Sequence, residues 1–146
     1  STLLSVLAGI QKPDCGSFIY NGTDLFKDTA LRSCVIGYVP QGTPLIPELS
    51  AKDNLLLWYD RKTMHNELEH GILKLLGIGD FINVPVRKMS GGMKKRLSIG
   101  CAVSKRPPVL LLDEPTNGLD DDSVKEFWKL MLEEKERGAL WHFLIR

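Results

Sequence analysis

Apolar positions along this 146-residue chain change their period several times. Leu3, Leu4, Val6, Leu7 and Ile10 recur at helical spacing, and Gly9 marks the end of that helix. After a loop, Ser17-Phe18-Ile19-Tyr20 meets Asn21-Gly22, a dipeptide that tolerates the left-handed backbone of a two-residue hairpin. Cys34 to Val39 reads as a second strand, ending at Pro40-Gln41. A proline-rich loop follows. Ser50 then caps a predicted helix over Ala51 to Tyr59, with Asp53 at the capping-box position. Thr63 opens another helix that puts Leu68, Ile72, Leu75 and Leu76 on one face and stops at Gly77. Residues from about 42 to 89 therefore read as a helical subdomain inserted between strand-rich parts.

The strongest block is Val109-Leu110-Leu111-Leu112, bounded by Pro107-Pro108 and Pro115. Four consecutive aliphatic residues suit a strand of a parallel sheet buried on both faces. Before it, Ser90-Gly91-Gly92 opens a helical pattern that runs to Val103. After it, an acidic loop from Thr116 to Ser123 opens a helix that buries Val124, Phe127, Trp128 and Met131 and stops at Gly138. Ala139 to Ile145 has strand propensity and adds to the sheet. The expected class is α/β: a mainly parallel sheet, a helical insertion and a small antiparallel part.

Composition narrows the function classes. At 43% hydrophobic the chain can build one sizeable core. A net charge of +1 gives no bulk attraction to nucleic acid. No apolar run approaches the roughly 20 residues that span a bilayer, and the first ten residues carry no basic leader. Cys15, Cys34 and Cys101 lack metal-type spacing and read as reduced, buried thiols of a cytoplasmic protein.

Chemistry concentrates where Leu112 gives way to Asp113-Glu114. Open α/β sheets place ligands beyond the carboxyl ends of their strands. Adjacent carboxylates there point to opposite sides, so one can hold a metal ion while the other orients a water. Ser90-Gly91-Gly92 offers backbone N–H groups at a helix N-terminus, an anion site. His65 and His70 fall on a surface helix and read as solvated.

Three features stand in fixed order: Gln41 after a strand, Ser-Gly-Gly at a helix start, and Leu-Leu-Leu-Asp-Glu-Pro about 20 residues later. This order resembles the ATP-binding cassette (ABC) ATPases, a P-loop NTPase family, from residue 1 to about 138. Met89-Ser90-Gly91-Gly92-Met93-Lys94-Lys95-Arg96-Leu97 resembles the family's signature, Asp113-Glu114 its Walker B motif, Tyr38 to Gln41 its Q-loop and Leu119-Asp120 its D-loop. Ser1-Thr2-Leu3-Leu4 resembles the tail of its Walker A motif. The resemblance implies that Asp113 holds magnesium, Glu114 acts on the attacking water, and Gln41 reaches both. It implies that Ser1 ligates magnesium beside Thr2, and that Ser90, Gly91 and Gly92 serve an ATP bound to a second cassette. Asp120 would lie where two head-to-tail cassettes meet.

The chain departs from the pattern in places. The glycine loop and lysine of Walker A are not in it, and Met93 stands where glutamine is usual. His142 falls four residues ahead of the family's switch histidine, inside a strand pattern, and reads as structural. The expectation is a piece of a cassette, inactive alone, whose parent hydrolyses ATP with magnesium and powers a membrane transporter, for export rather than import. Its partners would be a second cassette and an integral membrane subunit on the inner face of the membrane, with no nucleic acid. Trp58 and Tyr59 serve either the membrane contact or the core. The competing readings are a non-catalytic cassette module and a soluble ABC ATPase without a transport role.

Overall fold

Burial decides where the sheet's centre lies. In the computed structural model, which describes residues 2–42, 44–117, 121–136 and 142–145, Leu110, Leu111 and Leu112 are essentially inaccessible to solvent. Each contributes up to about 1.5–3 kcal/mol of apolar burial. Their strand takes the middle of a three-stranded parallel sheet whose order is Ile36–Val39 (β3), Val109–Leu112 (β4), His142–Ile145 (β5). A separate antiparallel hairpin joins Ile19–Tyr20 (β1) to Thr23–Asp24 (β2). Asn21 and Gly22 take φ values of 47° and 81° at its tip, the left-handed pair that the dipeptide predicts.

The first helix, α1, spans Thr2–Ala8 and ends at Gly9, where φ is +82°. Only Leu4 of its apolar stripe is fully buried, while Leu3 and Ile10 are exposed. The run from Cys34 is not all strand. Thr29–Val35 forms a helix, α2, and β3 begins at Ile36. Asp28 sets the earlier start, its carboxylate accepting the amide of Leu31 at 2.8 Å. Continuous apolar residues across Cys34-Val35-Ile36 hide the changeover, since a short run carries no distinguishing period.

Between β3 and β4 the chain is mostly helical. Ser50 caps Ala51–Leu55 (α3), accepting the amide of Asp53 at 3.1 Å and donating to its carboxylate at 2.6 Å. The regular helix stops there instead of reaching Tyr59: the amides of Leu57 and Trp58 bond three residues back, to Asn54 and Leu55, and Asp60 is extended to cap the next helix. That helix is Arg61–His70 (α4), so it starts before Thr63. It also breaks at Gly71 rather than running to Gly77. Glu67 turns its carboxylate back to accept the amide of Ile72 at 2.9 Å, and a Cβ at Gly71 would collide with that carboxylate. Ile72–Leu75 (α5) then ends before Gly77, where φ is +61°. His65 and His70 are exposed, in agreement with the sequence.

Ser90 caps the next helix, Gly91–Ala102 (α6), and Asp121–Glu136 forms α7. Phe127 and Met131 of α7 join the core, with Trp128 half-buried against it and edge-on to Phe127. Gly138, the expected end of this helix, lies outside the described residues. Leu55, Leu73, Leu76, Ile78, Leu97, Ile99, Leu110 and Leu112 are fully buried in one cluster that joins the helical segment to the sheet. The cysteines correct an expectation: Cys101 is buried, but Cys15 and Cys34 are exposed on a loop and on α2. No described helix is long and apolar enough to cross a membrane.

Candidate active site

Parallel pairing of β3 with β4 builds the site. Val39 lies opposite Leu112, and the ladder runs one step further as the Asp113 amide donates to the Val39 carbonyl at 3.0 Å. Two residues beyond each member of that pair stand Gln41 and Glu114. Their side chains meet at the sheet's C-terminal edge, Gln41 Nε2 donating to Glu114 Oε2 at 2.7 Å across 73 residues of sequence. Asp113 is buried, with 3% of its surface exposed, and Glu114 is half-buried beside it.

Glu114 is held in an unusual backbone state. Its φ is 48°, a left-handed conformation that costs a non-glycine residue about 1–3 kcal/mol. Asn117 offsets this by returning its amide to the Glu114 carbonyl at 3.1 Å and its Nδ2 to Glu114 Oε2 at 2.9 Å. Among the described residues both side-chain donors fall on Oε2, and Oε1 accepts from neither.

Lys95 enters from α6. Its side chain is almost fully buried, and Nζ donates to the carbonyl of Pro40 at 3.2 Å. Burial lowers its pKa below the ordinary lysine value, while the negative charges of Asp113 and Glu114 act in the opposite sense. Lys95 lies inside the signature-like run with no role assigned to it, and no motif marks Asn117. A helical wheel does signal the first, because Lys95 shares a face with the buried Ser98 and Ile99.

Ser90 uses its hydroxyl to cap its own helix, accepting the Met93 amide at 3.2 Å. Gly91 and Gly92 form the first turn of α6, so the expected helix N-terminus is present, and Lys95 lies one turn further along. Thr2 is exposed at the start of α1. Ser1 and Asp120 lie outside the described residues. Gln41, Asp113 and Glu114 are thus brought together, while Ser90, Gly91 and Gly92 begin the helix that carries Lys95 to them.

Oxygen donors at the end of a buried strand suit a hard cation. Magnesium takes one or two carboxylates and completes its shell with waters and phosphate oxygens. Asp113, the buried carboxylate, and the amide oxygen of Gln41 fit that need. Among the described residues no group of three or more His, Cys, Asp or Glu side chains converges as a metal cage.

A parallel sheet with this carboxylate pair and glutamine at its carboxyl edge has the architecture of an α/β fold with its ligand site beyond the strand ends. The comparisons agree. The family model described as ABC transporter matches residues 1–117. The chain is 36% identical over 144 residues to the probable multidrug ABC transporter ATP-binding protein YbhF of Escherichia coli, covering 96% of this chain and 25% of that protein. It is 37% identical over 139 residues to the uncharacterized ABC transporter ATP-binding protein YybJ of Bacillus subtilis, covering 94% of this chain and 63% of that one. Among solved structures, the ATP-binding cassette MJ0796 bound to ADP and Pi, described as dimeric, superposes with a TM-score of 0.81 at 25% identity, covering 99% of this chain and 68% of that chain. The chain belongs to the ABC transporter ATP-binding family. It spans a quarter of the length of YbhF and less than two thirds of YybJ.

Proposed function

We propose that this chain is the part of an ABC transporter subunit that binds and hydrolyses ATP, and that the whole protein uses the hydrolysis to drive export. The observation that carries the reading is the Gln41–Glu114 contact beside the buried Asp113. Bound magnesium supplies charge neutralisation for the triphosphate. The chain's residues do the rest. Asp113 anchors the cation, with Ser1 assigned the same task by its motif. Glu114 keeps Oε1 free to orient and deprotonate a water, while Gln41 and Asn117 hold its other oxygen. The amide groups of Gly91 and Gly92, with Ser90, would face the nucleotide of a second cassette, and Asp120 would lie at that junction. The dimeric description of the MJ0796 structure supports the pairing.

Residues 42–89 then form a helical subdomain that receives a membrane subunit, which would hold the protein at the cytoplasmic face. Leu57 and Trp58 are about 60% exposed, and Ile46 is exposed nearby. Trp58 therefore suits the contact. Tyr59 is core, its phenol donating to the carbonyl of Gly100 at 2.8 Å. The name of the Nod factor export ATP-binding protein I of Sinorhizobium fredii, 36% identical over 133 residues, supports export.

The test uses the full-length protein with its membrane partner. Glu114→Gln is expected to lower kcat for ATP at least about a hundredfold while nucleotide binding persists, the scale of losing a general base. Hydrolysis at the wild-type rate in that variant would refute the assignment.

A further inference from the structure

We propose that Lys95 is a positioning residue of this site, tying α6 to the Pro40–Gln41 peptide and so fixing where Gln41 meets Glu114. This rests on the assignment of Gln41 and Glu114 above. Lys95 is a buried residue, with 5% of its surface exposed. A buried charge costs several kcal/mol unless it is compensated. Lys95 has one hydrogen-bond acceptor among the described residues, the Pro40 carbonyl, which a methionine of similar volume could not engage. The remaining compensation comes from the field of Asp113 and Glu114. The lysine is therefore kept by the carboxylate pair and in turn holds the backbone one residue before Gln41.

Ser90 caps the helix that Gly91 and Gly92 begin, and Lys95 follows them by about one turn. The Pro40 carbonyl is thus linked to the first turns of α6, one residue before the Gln41 that bonds Glu114 at 2.7 Å.

The experiment compares wild type, Lys95→Met and Lys95→Arg in the full-length protein with its partner, using hydrogen–deuterium exchange and steady-state ATP hydrolysis. In Lys95→Met, exchange in peptides containing Gln41 should rise about threefold or more while the rest of the chain stays unchanged, as local release of a tether requires. Its kcat should fall about tenfold with KM for ATP within about twofold, and Lys95→Arg should restore both readouts toward wild type. Unchanged exchange at Gln41, or a rise spread evenly over the chain, overturns the proposal. If Lys95→Met does not fold, Lys95→Gln replaces it under the same two outcomes. Exchange needs no turnover. Hydrolysis that survives Glu114→Gln would therefore defeat the assignment of function and leave the exchange comparison standing.

Discussion

The phenol of Tyr59 and the carbonyl of Gly100 are joined at 2.8 Å inside the protein, linking the turn after α3 to the last turn of α6. Gly100 is also closely packed: a Cβ there would come within 2.9 Å of both Ile78 and Leu73. Tyr59→Phe should cost about 1 kcal/mol, the net value of one buried hydrogen bond. Gly100→Ala should cost about 1–3 kcal/mol through overpacking. Chemical denaturation of the two single variants and the double variant checks both, and the neighbouring positions should make the losses non-additive.

Asn117 is expected to matter for rate more than for stability. Asn117→Ala removes one of two donors to Glu114 Oε2 and leaves the left-handed turn less supported. If Glu114 is the base proposed above, ATP hydrolysis by the full-length protein should fall roughly tenfold with little change in KM, since the contact of Asn117 is with that carboxylate. A change confined to KM would contradict this account.

Reactivity separates the cysteines. Cys15 and Cys34 are exposed, whereas burial pushes the Cys101 thiol up to about 12 from an ordinary 9.0. A thiol reagent at pH 8 should label the first two in the native state and Cys101 only on unfolding.

The same shift sets an alkaline limit. The native state keeps the Cys101 proton where the unfolded chain has lost it, so stability is level below pH 9.0 and declines as pH rises toward 12. Tyr59, raised above 10.0 by burial, acts in the same sense. Cys101→Ala should lose less melting temperature than wild type between pH 9.0 and about 10.5.

Glu67 and Arg106 form an ion pair at 2.6 Å between α4 and the turn before β4. Glu67 is buried and Arg106 mostly exposed, so solvent weakens the attraction without removing Glu67's need for a partner. Arg106→Ala should destabilise by about 1–2 kcal/mol, below the figure for a wholly buried pair. In a Glu67→Gln background the same substitution should cost less than half as much. A double-mutant cycle by urea denaturation measures the difference.

Much of this was legible in the residues. Val109 to Leu112 announced a central strand because four aliphatic side chains have nowhere else to go, and Asn21-Gly22 announced its turn through backbone permissiveness. Asp113, Glu114 and Gln41 could be named from their order, but their contact depends on the pairing of Val39 with Leu112, a relation between distant segments. Boundaries were harder. Asp28 and Asp60 outrank hydrophobic period in setting where helices begin, and Glu67 breaks one from within. Lys95 gave a divided signal: its charge suggests a surface while its helix face suggests the core, and the Pro40 carbonyl with the charges of Asp113 and Glu114 accounts for its burial.

The equal offset of Gln41 and Glu114 from one ladder pair sets what length changes the chain tolerates. Residues added or removed between Pro44 and Leu49 leave the ladder in step. One residue gained within Ile36 to Gln41 or Val109 to Glu114 inverts the alternation of that strand and turns a reactive side chain to the opposite face. Insertions between related chains should therefore collect in the helical stretch, and the two short strands should keep constant length even where their residues change.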